Sequence, residues 1–194
     1  MKFTETKLPG AYIVELEPIR DNRGFFSRVI CRREFEELGL TTDFVQANLT
    51  FSNQKGTLRG MHYQIVPHKE IKLVRCTRGA IYDVIVDMRP NSPTYLQWLA
   101  LELTAENRQM IYIPGEFAHG YMTLRDETEV FYEVAQFYAP EYERGFRWND
   151  PAVNIEWPEA GSLIMSDKDR AWPNFVPESV GRWNGGQAVM ETVR

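Results

Sequence analysis

Within Gly56-Thr57-Leu58-Arg59-Gly60-Met61-His62-Tyr63-Gln64, a guanidinium and an imidazole stand close together in a run that otherwise has the character of a β-strand. An imidazole can take up a proton near neutral pH, and a guanidinium stays charged at any working pH. Further along, Lys72 sits in the apolar run Ile71-Lys72-Leu73-Val74, and Tyr132 lies in Val130-Phe131-Tyr132-Glu133-Val134. With a carboxylate to orient the histidine, these are the parts for removing a proton next to a carbonyl. His62 would be the base, Lys72 would steady the enolate oxygen, and Tyr132 would return a proton. Each also has an ordinary reading: a surface arginine, a satisfied core histidine, a lysine in a salt bridge with its stem packed, and a core tyrosine.

The chain has three histidines, His62, His68 and His119, and inward histidines of a β-barrel can hold zinc or iron. Such barrels pair two histidines two residues apart with a following carboxylate. Here Gln64 stands two residues after His62, and His68 lies between Pro67 and Lys69. The spacing favours acid–base chemistry over a metal centre.

The elements that must position these groups read as strands. Apolar alternation marks 11–17, 44–51, 57–64, 70–77, 80–88, 97–104, 109–113, 117–124 and 128–138. Turn residues separate them, as in Asp21-Asn22-Arg23-Gly24, Arg78-Gly79 and Pro114-Gly115. Residues 32–39 suit a short amphipathic helix stopped by Gly39. Many short strands at this spacing predict an all-β sandwich or barrel, and after Pro140 the Trp-, Pro- and Asp-rich sequence predicts coil and short helices wrapped around it.

Strand periodicity then assigns faces. Strict alternation sets Leu58, Gly60, His62 and Gln64 against Arg59, Met61 and Tyr63. A glycine inside a strand marks a bulge or a close backbone approach, by which Gly60 could turn Arg59 and His62 toward one cavity. Asp83 and Asp87 share a face with Ile81 and Ile85, and a buried carboxylate needs a partner; Asp83 is a candidate to hold a histidine or a cation. His119 shares a face with Phe117 and Tyr121, and Gln46 is in phase with Asn48. On 128–138, Tyr132 and Tyr138 would share one wall about 20 Å apart at ~3.3 Å per residue, the length of a nucleotide-sized ligand.

Composition bounds the rest. The 194 residues suffice for one domain, drawn here as 1–180 with a loosely held tail at 181–194. Aromatic residues make up 13%, which suits a β-rich fold or stacking surfaces. A net charge of −5 without a basic cluster argues against a nucleic-acid partner. No apolar stretch is long enough for a membrane span or a secretory signal, so the cytoplasm is the expected location. Cys31 and Cys76 are too few for a disulfide scaffold or a thiolate cage. There is no glycine-rich phosphate loop of the dinucleotide-binding kind and no Gly-x-Ser-x-Gly elbow.

Several separated motifs nevertheless occur together in one order. They are Asp21-Asn22-Arg23-Gly24-Phe25-Phe26, Gln46-Ala47-Asn48, the stretch through Gln64, Lys72-Leu73-Val74-Arg75 and Tyr82-Asp83-Val84. Ser92-Pro93-Thr94, Phe117-Ala118-His119-Gly120, Tyr138-Ala139-Pro140, Trp148-Asn149-Asp150-Pro151 and Ser166-Asp167-Lys168-Asp169 follow. With these, residues 8–172 resemble the dTDP-4-dehydrorhamnose 3,5-epimerase family, sugar-nucleotide epimerases of the cupin superfamily. The resemblance implies a cupin-type jelly-roll barrel that inverts C3, C5 or both of a nucleotide-linked 4-keto-6-deoxy sugar. It implies that Asp169 orients His62, that Lys72 steadies the enolate, and that Tyr132 reprotonates from the opposite side of the ring. By the same resemblance, Asp83 holds His119 near the sugar, and Arg23, Arg59 and Lys168 meet the diphosphate. Gln46, Asn48 and Glu143 would contact nucleotide or sugar, and Tyr138 would stack on the base. It also implies no metal, no cofactor, and a homodimer joined through sheets that include the N-terminal strands.

Three positions depart from the family pattern. Arg28 replaces a common glutamate and would reverse a charge beside the nucleotide. Ile71 replaces a small residue and would crowd the sugar side, and Tyr95-Leu96 stands where Phe-Gly is common. They leave open epimerisation at a single carbon or a GDP- or CDP-linked sugar; separate alternatives are a metal-dependent enzyme of the same fold and a barrel that binds sugars without turnover.

Overall fold

The computed structural model describes residues 1–176 of the chain; the tail expected at 181–194 lies outside them, as does the end of the expected domain. Four short strands come first: β1 (Lys2–Glu5), β2 (Tyr12–Glu15), β3 (Ile19–Asp21) and β4 (Gly24–Phe26), then helix α1 (Arg32–Glu36). The body follows as β5 (Gln46–Ser52), β6 (Leu58–Gln64), β7 (Lys72–Arg78), β8 (Ala80–Asp87), β9 (Trp98–Thr104), β10 (Met110–Ile113), β11 (Phe117–Thr123) and β12 (Thr128–Val134). A single 3-10 turn at Pro140–Tyr142, β13 (Glu143–Gly145) and α2 (Asp167–Ala171) complete the order.

The strands form two antiparallel sheets and a separate β3–β4 hairpin. One sheet runs β1-β2-β10-β7-β12-β5, the other β13-β6-β11-β8-β9. Val74, Cys76, Ile111 and Val130 from the first sheet pack against Ile81, Ile85, Leu103 and Phe117 from the second, making the core between them. The outer face of the five-stranded sheet is covered by the C-terminal wrap through Phe146, Val153, Ile155 and Trp157. The outer face of the six-stranded sheet is covered by α1 and its flanks, with Phe35 and Leu40 packed on Leu73, Met110 and Tyr112. Burying both faces of both sheets is what lets a chain this size hold a polar interior site without losing its core. The architecture is the all-β jelly roll expected from the sequence.

Two boundaries differ in ways that matter to the site. β12 ends at Val134, so Tyr138 does not continue the wall of Tyr132; the chain bends at Ala135 and Gln136 and carries Tyr138 elsewhere. Strands β1, β3 and β13 fall outside the runs that alternation predicts, because three- or four-residue strands carry too little alternation to stand out. Ile71, expected to crowd the sugar side, packs instead into the outer cluster with Leu73 and Tyr112. No helix among the described residues is long and apolar enough to cross a membrane.

Candidate active site

Strand register builds the site from two facing walls. On the five-stranded sheet, His119 of β11 lies opposite both His62 of β6 and Ile85 of β8, and Tyr121 lies opposite Arg59 and Asp83. His119 and Tyr121 are two apart on β11 and so share a face. Their partners Arg59 and His62 must then also share one, although strict alternation separates them. A register shift between His119 and Tyr121 accounts for this, with the extra residue on β6 at Gly60-Met61. Gly60 adopts φ +125, and a Cβ there would come within 2.5 Å of Gly120 Cα. Only glycine accommodates that backbone and that approach.

On the six-stranded sheet, Asn48, Tyr132 and Val74 form one cross-strand row, and Gln46, Val134 and Lys72 form the next. Asn48, Tyr132 and Lys72 are half-buried, whereas Gln46 is at the exposed end of the edge strand. Thr50, one row further in, has its hydroxyl 2.7 Å from the Tyr121 hydroxyl, a hydrogen bond that ties the two sheets across the interior.

Each histidine on the five-stranded wall has its own buried carboxylate. Asp169 Oδ1 accepts from His62 Nε2 at 2.6 Å, with the two side chains 6% and 30% exposed. Asp83 Oδ2 accepts from His119 Nε2 at 2.7 Å. Asp169 reaches His62 because α2 docks on β6: Ser166 caps the helix by accepting from Asp169 N, and the Trp172 ring lies 6.0 Å from the imidazole. Gly145, opposite His62 on β13, leaves room for that indole; a Cβ there would meet Trp172 Cε2 at 2.6 Å. With Nε2–H given to Asp169, Nδ1 is the nitrogen that holds the free pair of a neutral His62. His68 stands apart from this pair of dyads, stacked 4.4 Å from the Tyr142 ring, so the three histidines do not converge. No group of three His, Cys, Asp or Glu among the described residues is arranged to hold a metal ion.

Charge perturbations follow from these contacts. Burial is the largest single influence on the Asp169 carboxyl and would raise it, but the hydrogen bond and charge of His62, with Ser166 and the Lys168 charge, together outweigh it and hold the group below the usual carboxylate range. A carboxyl depressed in the folded state adds stability that is fully present above its unfolded value and lost as pH falls through the folded one. Asp169→Asn is therefore expected to be less stable than the parent at neutral pH by about 1–3 kcal/mol. That gap should narrow below about pH 4, as the parent's carboxyl protonates. Urea melts at pH 7 and pH 3 measure it, and a gap of constant size would show that the dyad does not contribute in this way. Burial also raises the Tyr132 phenol, with the Glu70 charge adding to it and Arg59 opposing. Burial pushes Tyr121 up to about 12.

Beside the His62 dyad lies a second cluster. Glu143 pairs in register with Gln64 on β13 and β6, which puts its carboxylate on the His62 side. Lys168 Nζ donates to both Glu143 oxygens at 2.7 Å, and the Tyr138 hydroxyl donates to Oε2 at 2.8 Å. Burial would raise the Glu143 carboxyl, but these two donors hold it low. The Tyr138 ring itself is exposed and has the Lys168 ammonium 5.6 Å from its centre. An exposed aromatic face beside a cation suits a stacked base and a phosphate.

This geometry accompanies clear kinship. Residues 5–176 match the family model described as dTDP-4-dehydrorhamnose 3,5-epimerase. The dTDP-4-dehydrorhamnose 3,5-epimerase of Shigella flexneri is 44% identical over 177 residues, covering 91% of this chain and 97% of that protein. The chain belongs to the dTDP-4-dehydrorhamnose 3,5-epimerase family. Among solved members, the Bacillus anthracis enzyme with TDP and PPi bound superposes with a TM-score of 0.86 at 42% identity, covering 90% of this chain and 99% of that one. The Legionella pneumophila enzyme in complex with dTDP-4-keto-L-rhamnose gives 0.83 at 37% identity, with coverages of 89% and 92%.

Of the residues that the family resemblance singled out, the fold gathers His62, Asp169, His119, Asp83, Lys72, Tyr132 and Asn48 around the interior, while Arg59 stays exposed and donates to the Phe51 carbonyl at 3.3 Å. Gln46 sits at its edge, and Tyr138, Glu143 and Lys168 at its rim. Arg23 is not brought there within one chain: it lies on the β3–β4 hairpin, 85% exposed and paired with Asp21. Arg28 lies against α1, bound to Glu34 at 3.0 Å, and not beside Tyr138 or Lys168. Sequence reasoning missed Thr50, Trp172 and Glu70. Glu70 is the one with a readable signal, an acid two residues before a lysine within the run 70–77 that alternation predicts as a strand.

Proposed function

We propose that this protein inverts C3 and C5 of a dTDP-linked 4-keto-6-deoxyhexose. The reading rests most on the His62–Asp169 dyad, an imidazole oriented by a buried carboxylate on one wall while a phenol and an ammonium line the other. His62 Nδ1 takes the proton alpha to the C4 ketone, and the electron pair moves onto the ketone oxygen as an enolate. Lys72 donates to that oxygen, where negative charge develops. Tyr132 then gives its proton to the opposite face of the same carbon, so the configuration inverts. Solvent resets the imidazolium and the phenolate. The ketone acidifies C3 and C5 alike, so one set of groups serves both carbons once the sugar turns between steps. A phenol is protonated at neutral pH, as an acid must be before it acts, and burial raises Tyr132 further.

His119, held by Asp83, and Arg59 lie beside the space for the sugar and diphosphate, and Gln46 and Asn48 supply neutral hydrogen bonds. Tyr138 is the platform for the base, with Glu143 and Lys168 beneath it. The ligands of the Bacillus and Legionella relatives support a thymidine nucleotide. A homodimer belongs to the same reading. The hairpin that carries Arg23 exposes Ile19 and Phe26, and a partner subunit's site is where Arg23 would meet a diphosphate. So does a cytoplasmic location, because a nucleotide sugar is a charged solute that does not cross a bilayer unaided.

Incubation with dTDP-4-keto-6-deoxyglucose in D2O, followed by mass spectrometry, tests the reading. Two deuteria are expected in the product. One would restrict the activity to a single carbon. None with any nucleotide tested, from folded protein, would leave a sugar-binding barrel.

A further inference from the structure

Glu70 lies in the loop leading into β7, and none of the roles above falls to it. Its Oε2 is 2.7 Å from Lys72 Nζ, with the two side chains only 13% and 14% exposed. Exposed ion pairs contribute little, but this one is largely shielded from water. The Lys72 ammonium in turn stands 5.9 Å from the centre of the Tyr132 ring. We propose that Glu70 is a positioning residue of the epimerisation, fixing through this ion pair where the Lys72 ammonium stands beside Tyr132. The proposal rests on the epimerase reading of the site.

A lysine head on four rotatable bonds samples many positions unless something holds it. A single carboxylate partner removes that freedom before substrate arrives, so the enolate oxygen forms next to a donor already in place. The same carboxylate acts on Tyr132 through its charge. The charged and titratable groups around that phenol are Glu70 and Lys72 at the head of β7, Arg59 from β6 and Tyr121 from β11. Glu70 favours the protonated phenol and Arg59 opposes it. Glu70 therefore sets both where the ammonium sits and how firmly Tyr132 keeps its proton.

Glu70→Ala removes the acceptor and the charge, whereas Glu70→Gln keeps an acceptor oxygen of similar reach. In Glu70→Ala, kcat is expected to fall about tenfold or more with KM little changed. Glu70→Gln should recover most of kcat, yet the basic limb of its pH profile should lie at lower pH than the parent's, because the charge that favours the proton on Tyr132 is gone. A readout without substrate accompanies these. In protein carrying 13C-labelled tyrosine, the ring signal that disappears in Tyr132→Phe should titrate at lower pH in Glu70→Gln. Parent-like kcat in Glu70→Ala, or a pH profile and Tyr132 titration in Glu70→Gln that superimpose on the parent's, would overturn the role of Glu70 while leaving the epimerase reading intact. A parent that exchanges no proton of any 4-keto sugar would instead remove the epimerase reading, and the role of Glu70 in catalysis with it.

Discussion

His62→Ala is expected to lose at least a thousandfold in kcat, about 4 kcal/mol of transition-state stabilisation, while the affinity for dTDP stays within about tenfold, or 1.4 kcal/mol. The split follows from position. In the proposed reading the sugar lies over His62, whereas the groups suited to nucleotide and diphosphate are Arg59, Tyr138 and Lys168. Removing the imidazole leaves Asp169 buried without its donor, so His62→Asn is the control that keeps a polar group beside it. Steady-state turnover and calorimetric titration with dTDP measure the two halves. Parent-like turnover in both variants would remove His62 from the mechanism. A matching loss of dTDP affinity would mean that the nucleotide, and not the sugar, lies over the dyad.

Tyr132→Phe is expected to separate proton removal from inversion. The ring still fills its row between Asn48 and Val74, and His62 can still take the alpha proton and give back deuterium from the same face. Solvent deuterium should therefore enter the recovered substrate with its configuration retained, while formation of the epimer falls by about 10²–10⁴-fold, the usual worth of a general acid. Mass spectrometry reports the first and proton NMR of the recovered sugar the second. If exchange and inversion fall in parallel, Tyr132 is not the acid that completes the inversion. Its hydroxyl would then serve to bind or orient the sugar.

The sequence by itself determined the all-β class, the position of most strands and the inventory of reacting groups, because alternation and turn residues are local signals. It also pointed to Gly60 as a bulge or close backbone approach and to Asp83 as a candidate to hold a histidine or a cation. Tertiary structure decided which groups meet. His62 and Asp169 lie 107 residues apart in the chain, and periodicity carries no information on such a distance; family likeness named the partner, and the docking of α2 on β6 brings the two together. The bulge put Arg59 and His62 on one face, which alternation alone denies. The early end of β12 returned Tyr138 to the rim with Glu143 and Lys168, where an uninterrupted strand would have carried it far along the wall. Ile71 turned outward because its neighbour Lys72 turned in. A strand pattern fixes two faces but does not say which is interior or what lies across the gap; that depends on pairing between distant strands, and so on how the whole chain closes.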